Sequence, residues 1–123
     1  MTRTPHPDET HSSRCVVAVV ENLIDSAPLQ EAAKRLDVPL VVANLRSAPG
    51  AWRRESPRLV VFDLALPGVM TLLADSGLQG IATIGFYPHV DQELRRAALE
   101  AGLGRAFPRS AFFSRLPALL AEP

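Results

Sequence analysis

The stretch RLVVFDLALPG, residues 58–68, places four apolar residues directly before Asp63 and a Leu-Ala-Leu-Pro-Gly sequence directly after it. An apolar run without polar alternation is typical of a strand that is covered on both faces of a parallel sheet. The proline and the glycine predict a turn where this strand ends. The stretch therefore predicts a buried strand that ends in a carboxylate, and this carboxylate is either a reactive group or a turn residue.

Strand-like and helix-like segments alternate along the rest of the chain. The predicted strands are residues 15–20, 39–45, 58–63, 80–86 and 104–107. The predicted helices are residues 25–36, 47–56, 68–77, 88–103 and 110–122. Five repeats of strand and helix predict an α/β protein, because buried parallel strands need a helical crossover between them. The compact arrangement is a doubly wound, flavodoxin-like (βα)5 fold with a five-stranded parallel sheet in the order 2-1-3-4-5.

Helix boundaries are indicated by capping and breaking residues. Asp25 or Ser26 is expected to cap the first helix. In the fourth helix, a single apolar face is predicted, followed by Gly102 as the helix end. The residues of that face are Val90, Leu94, Ala97 or Ala98, and Ala101. Pro117 is expected to bend or divide the last helix.

Composition and charge narrow the class of protein. The 123 residues are 47% hydrophobic, which predicts one folded domain over residues 15–123 after a polar, disordered tail at residues 1–14. The 13 basic and 13 acidic residues balance, which argues against a nucleic-acid partner. The sequence has neither a signal peptide nor an apolar run long enough to span a membrane. The single cysteine, Cys15, excludes an intramolecular disulfide and is expected to be a buried thiol, so a cytoplasmic location is expected.

Polar residues follow the two strands where a site is expected. In doubly wound sheets, sites form at the carboxyl ends of strands, beside the reversal of strand order. This reversal falls between the first and third strands. Glu21 and Asn22 follow the first strand, and Asp63 ends the third. Asp63 is therefore predicted to lie in a site.

Three stretches carry a resemblance to a known family. They are VVAVVENLIDSAPLQEAAKRL (16–36), RLVVFDLALPG (58–68) and HVDQELRRAALEAGLGRAFPRSAFFSRLPALL (89–120). Together they resemble the receiver domains of bacterial two-component response regulators, over residues 15–121. The resemblance implies that Asp63 is the phosphoacceptor position and that the acidic pair falls on Glu21 and Asn22. It also implies a metal-binding carbonyl at Ala65.

The remaining positions of the family's site depart from its pattern. The hydroxyl residue that ends the fourth strand falls on Gly85, the lysine that ends the fifth strand on Arg109, and the switch aromatic on Ala106. Gly85 cannot hydrogen-bond a phosphoryl oxygen. Arg109 has a planar guanidinium where the family has the compact ammonium of lysine. It is expected to pair permanently with Asp63.

These departures imply a non-enzymatic, degenerate pseudo-receiver that needs no cofactor. Asn22 replaces a carboxylate, so the site at Glu21, Asn22, Asp63 and Ala65 is expected to bind Mg²⁺ weakly or to be vestigial. The implied function is that of a stand-alone protein-interaction and regulatory module in signal transduction. One alternative is a divergent regulator that still accepts phosphate on Asp63. Another is a small-molecule binder that uses the pocket at the strand ends.

Aromatic residues concentrate in the last third of the chain, where the family has its partner-binding face. Phe86, Tyr87, Phe112 and Phe113 are the predicted interaction residues, and Trp52 is a second candidate anchor. The implied partner is a histidine kinase, another signalling protein or a second copy, which would dimerise through the fourth helix, fifth strand and fifth helix. The sequence ends just after the last helix, so output through another protein is expected. His89 is expected to be a surface residue at a helix start.

Overall fold

A computed structural model of the chain describes residues 14–122. The tail predicted at residues 1–14 lies outside the described residues, together with His6 and His11, except for Arg14. The guanidinium of Arg14 donates a hydrogen bond to the backbone carbonyl of Asp37 at 2.9 Å. None of the helices in this described part is long and apolar enough to cross a membrane.

The five strands form one sheet in the order β2-β1-β3-β4-β5, and every neighbouring pair is parallel. The strands are β1 (Val16–Val19), β2 (Leu40–Ala43), β3 (Leu59–Asp63), β4 (Ala82–Tyr87) and β5 (Arg105–Pro108). The predicted fold class and strand order are confirmed. The order reverses between β1 and β3, which places the ends of these two strands side by side.

Within residues 14–122, four helices and one short 3₁₀ turn, Ser76–Leu78, lie between the strands, and two more helices follow the last strand. The helices are α1 (Leu23–Arg35), α2 (Ala48–Glu55), α3 (Val69–Leu73), α4 (Gln92–Glu100), α5 (Arg109–Ser114) and α6 (Leu116–Ala121). Pro117 divides the last helical segment as predicted, because α5 ends at Ser114 and Pro117 lies in the first turn of α6.

Two hydrophobic cores lie on opposite faces of the sheet. Val16 and Ala18 belong to one core with residues of α1, α5 and α6, whereas Val17 and Val19 belong to the other core with residues of α2 and α4. This alternation follows from the two-residue repeat of a strand. Both cores exclude water, which explains why the strands read as continuous apolar runs.

Two helix starts differ from the sequence prediction. Asn22 caps α1, since its side-chain oxygen accepts a hydrogen bond from the backbone N–H of Asp25 at 2.8 Å. The prediction that Asp25 or Ser26 is the cap is therefore wrong, and both residues are buried inside the first turn. Val90 is 79% exposed because it precedes Asp91, the cap of α4, so its placement on the buried face is also wrong. Gly102 follows the end of α4 as predicted, with a φ of +109° that suits glycine.

Candidate functional site

Asp63 is the last residue of β3 and lies at the carboxyl edge of the sheet. Its side chain is almost fully buried, and one carboxylate oxygen, Oδ1, accepts a hydrogen bond from the backbone N–H of Ala65 at 3.0 Å. This contact closes the turn that follows the strand. Asp63 therefore stabilises its turn, which is one of the two roles that the sequence left open.

The surroundings of Asp63 disfavour its negative charge. Burial is the largest cause and raises the pKa of Asp63 above its usual value, while the hydrogen bond from Ala65 opposes this shift. The negative charges of Asp25 and Glu21 raise the pKa further, and the positive charge of Arg109 lowers it. The site at Asp63 consequently has an excess of negative charge.

Arg109 is the first residue of α5, directly after β5, and its guanidinium forms an ion pair with Asp25. The predicted pairing of Arg109 with Asp63 is therefore wrong. The Asp25 side chain is only 3% exposed, so its charge has little access to water and is offset by the guanidinium. The Arg109 guanidinium also lies 4.9 Å from the ring centre of Phe113 and 5.6 Å from that of Phe86, within range of cation–π attraction.

The predicted acidic pair is engaged by other parts of the chain. The Glu21 carboxylate accepts a hydrogen bond from the backbone N–H of Leu45, in the loop after β2, at 2.9 Å. The Asn22 side-chain amide donates to the second carboxylate oxygen of Asp25 at 3.1 Å. Both side chains thus stabilise the protein around the ends of β1 and β2.

The contacts of the residues around Asp63 bear on the predicted magnesium site. Mg²⁺ requires near-octahedral oxygen coordination, usually with one or two carboxylates. Among residues 14–122, no three or more His, Cys, Asp or Glu side chains are grouped so that they could hold a metal ion. The nearby carboxylate of Asp25 is already neutralised by Arg109. This geometry does not support the predicted metal site, which stays a prediction for Glu21, Asn22, Asp63 and Ala65.

Leu64 occupies the space beside Gly85. A Cβ atom on Gly85 would lie 2.8 Å from both Cγ and Cδ2 of Leu64, and Leu64 itself is 1% exposed. A hydroxyl-bearing side chain at position 85 would therefore collide with a buried leucine. Ala106, at the predicted switch position, pairs with Gly85 across the strands and is partly buried against the core.

Most of the predicted interaction residues are in the core. Phe86, Tyr87 and Phe112 are at most 3% exposed, so burial does not support an interaction role for these three side chains. Phe113 is half-buried, with its ring centre 5.1 Å from that of Phe86. Trp52 is also buried, and its indole N–H donates to the carboxylate of Asp75 at 2.9 Å.

Other single-residue predictions are resolved by burial. Cys15 is buried, and burial is the largest cause that raises the pKa of its thiol above its usual value, so the predicted structural thiol is confirmed. His89 is exposed in the loop before α4, as predicted. Sequence reasoning missed the partner role of Asp25 and the packing of Leu64, because each residue meets a neighbour that is distant in sequence.

A shallow cleft lies at the ends of β1 and β2, with a volume of about 420 Å³. Its lining residues include Glu21, Asn22, Leu23 and Val42. Since Glu21 and Asn22 already hydrogen-bond within the protein, the cleft offers few free polar groups to orient a small molecule.

Comparison with known proteins identifies the fold. No protein-family model matches the chain, and no curated protein matches it. Solved structures do match over most of their length. A response regulator from Hahella chejuensis has a TM-score of 0.72 at 19% identity, covering 87% of this chain and 92% of its own. The phosphorylated cyanobacterial phytochrome response regulator RcpA has a TM-score of 0.64 at 23% identity, covering 86% and 87%.

A third structure is an atypical orphan response regulator, described as revealing a phosphorylation-independent regulatory mechanism. It has a TM-score of 0.68 at 13% identity, covering 86% of this chain and 94% of its own. The chain has the receiver fold. At these identities the likeness concerns the fold, so function must be argued from the residues of the site.

Proposed function

We propose that this receiver-fold chain is a pseudo-receiver, a cytoplasmic protein-interaction module in bacterial signal transduction that works without conventional phosphorylation switching. One observation carries the proposal: the polar side chains expected to serve Asp63 are bonded to other groups of the chain. Glu21 accepts from Leu45, Asn22 bonds with Asp25, and Arg109 pairs with Asp25.

Phosphoryl transfer explains why this observation matters. A transferring phosphoryl group carries negative charge, and catalysis depends on cations and donors that stabilise it. Asp63 instead has the negative charges of Asp25 and Glu21 nearby, and the guanidinium that would offset them is paired with Asp25. A phosphoryl group on Asp63 would add charge to a site that already disfavours the charge of Asp63 itself.

The output of such a module is a protein contact. The proposed partner is a histidine kinase, another signalling protein or a second copy of the chain, bound on the surface formed by α4, β5 and α5. On this surface Phe113 is half-buried and the Arg109 side chain is 41% exposed, so both can be reached by a partner. Arginine and aromatic residues are common at the centre of interfaces. The atypical regulator with the same fold gives a precedent for signalling without phosphorylation.

Titration with a phosphoryl mimic tests the proposal. Magnesium and beryllofluoride are added to ¹⁵N-labelled protein, and backbone amide shifts are followed at Glu21, Asp63 and Ala65. We expect no saturable shift at millimolar magnesium. A matched pull-down should recover the same partner with the wild-type protein and with Asp63→Asn. Saturable shifts around Asp63, or loss of the partner in the variant, would overturn the proposal.

The second candidate function is a divergent regulator that accepts phosphate on Asp63. It is favoured by the position of Asp63 at the end of β3, where the strand order reverses, and by the exposed side chain of Glu21. In this case, the same titration would give saturable shifts, and a small phosphodonor would add one phosphoryl group that Asp63→Asn abolishes. Mass spectrometry of the intact protein distinguishes the two outcomes.

A further inference from the structure

The ion pair between Arg109 and Asp25 joins two helices that are distant in sequence. Asp25 lies in the first turn of α1, and Arg109 is the first residue of α5. Both helices begin at the carboxyl edge of the sheet, beside Asp63. The pair is therefore a direct link between α1 and the surface to which the proposed function assigns the partner.

The Asp25 end of this link is buried and hydrogen-bonded. Its side chain is 3% exposed, and the Asn22 amide donates to its other carboxylate oxygen at 3.1 Å. The backbone N–H of Asp25 in turn donates to Asn22 at 2.8 Å. A buried carboxylate that loses its cation is left with a desolvation cost, so opening this pair should cost more than opening a pair in which both side chains are exposed.

The Arg109 end is held by aromatic rings. The guanidinium lies over Phe113 on its own helix and over Phe86 on β4. A planar guanidinium can stack on rings and donate to a carboxylate at the same time, which a lysine ammonium does less well. Arg109 therefore connects α1, β4 and α5 through one side chain.

We propose that the Arg109–Asp25 ion pair is an internal lock that fixes the start of α5 against α1 and keeps Arg109 away from Asp63. This deepens the proposed function and rests on it, because the lock holds the surface around Phe113 in one conformation irrespective of Asp63. Loosening α5 requires that Asp25 be neutralised or that Arg109 be displaced.

Amide hydrogen exchange tests the lock, measured by NMR on the full chain without metal or phosphodonor. Arg109→Gln and Asp25→Asn should each speed exchange of the α5 amides about tenfold or more relative to the amides of β1 and β3, because each removes the ion pair that ties α5 to a buried carboxylate position. The matched control is Arg105→Gln, since Arg105 pairs with Glu122 at 3.2 Å on the surface. It should change α5 exchange by less than about twofold.

The double variant Arg109→Gln/Asp25→Asn shows whether the two single substitutions disrupt one shared contact or have two independent effects. If the two residues act through one contact, its α5 exchange should be close to that of either single variant and not the product of both. The proposal is overturned if α5 exchange rises no more than in Arg105→Gln, or rises equally in β1 and β3. Since this test involves no phosphoryl mimic, saturable beryllofluoride binding by wild-type protein would refute the proposed function while leaving the exchange result intact.

Discussion

The side chain of Leu64 fills the space beside Gly85, where a Cβ atom would lie 2.8 Å from the leucine Cγ. Leu64 cannot easily move away, because its backbone N–H donates to the carbonyl of Phe86 at 3.0 Å and its side chain is buried in the core. Leu64 and Gly85 are therefore a matched pair of a large and a small residue, on adjacent chain segments beside Asp63.

Gly85→Ala should destabilise the protein by about 1–3 kcal/mol, the usual cost of adding volume to a filled core. The matched control is Gly50→Ala in α2, where the added Cβ meets nothing within 4 Å. This control should be stabilising by about 0.5–1 kcal/mol, because alanine is favoured over glycine inside a helix. Denaturant unfolding measures both effects.

A substitution of Leu64 shows whether this side chain causes the destabilisation expected for Gly85→Ala. Leu64→Ala alone should cost about 2–5 kcal/mol through the cavity that it leaves. In the double variant Gly85→Ala/Leu64→Ala the cost should be clearly smaller than the sum, because the clash is gone. Additive costs would mean that Gly85 is needed for some other reason.

The fold could be predicted because its signals are local. The run at residues 59–62 is buried in the centre of the sheet, and the two-residue alternation assigns Val60 and Val61 to opposite cores. Boundaries were predicted less well where polar caps decide them. Asp91 caps α4, so the apolar Val90 lies outside the helix although it continues the helical repeat.

The location of the site could be predicted, but its contacts could not. A carboxylate at the end of β3 must lie at the carboxyl edge of the sheet, which places Asp63 by topology alone. The pairing of Arg109 with Asp25 and not with Asp63 depends instead on where the folded chain places the three side chains. The packing of Leu64 on Gly85 depends on three-dimensional neighbours, for which one sequence gives no periodic signal.

Asp63→Asn should increase stability at neutral pH. Since the pKa of Asp63 is raised in the folded protein, the folded state binds a proton in a pH range where the unfolded chain has lost it. The contribution of Asp63 to stability thus falls as pH rises from the usual aspartate pKa to the raised value, and it stays unfavourable above. The uncharged amide removes this loss and can still accept from Ala65. Thermal unfolding from pH 3 to 8 measures the effect, and a variant less stable at pH 7 would contradict it.

Asp75→Asn should show the opposite pH dependence. The hydrogen bond from Trp52 is the largest cause that lowers the pKa of Asp75, with further help from Gly77 and Arg53. Its contribution to stability is therefore present above the usual aspartate pKa and lost as pH falls through the lowered value. The variant should be less stable than wild type at pH 7, with the difference shrinking in acid. Measuring Asp75→Asn beside Asp63→Asn compares the pH dependence of stability for the two carboxylates. Equal pH dependence in the two variants would contradict both pKa directions.

Phe112→Ala and Phe113→Ala should differ in what they disrupt. Phe112 is fully buried and contacts Phe86 and Phe107, so its loss should cost about 3–5 kcal/mol of stability. Phe113 is half-buried, and its loss should cost clearly less stability but remove one of the two rings beneath the Arg109 guanidinium. If the surface of α4, β5 and α5 binds the partner, Phe113→Ala should weaken the pull-down while the protein stays folded by circular dichroism. An unchanged pull-down would mean that the partner binds another surface. Equal stability losses for the two variants would show that Phe113 is a core residue.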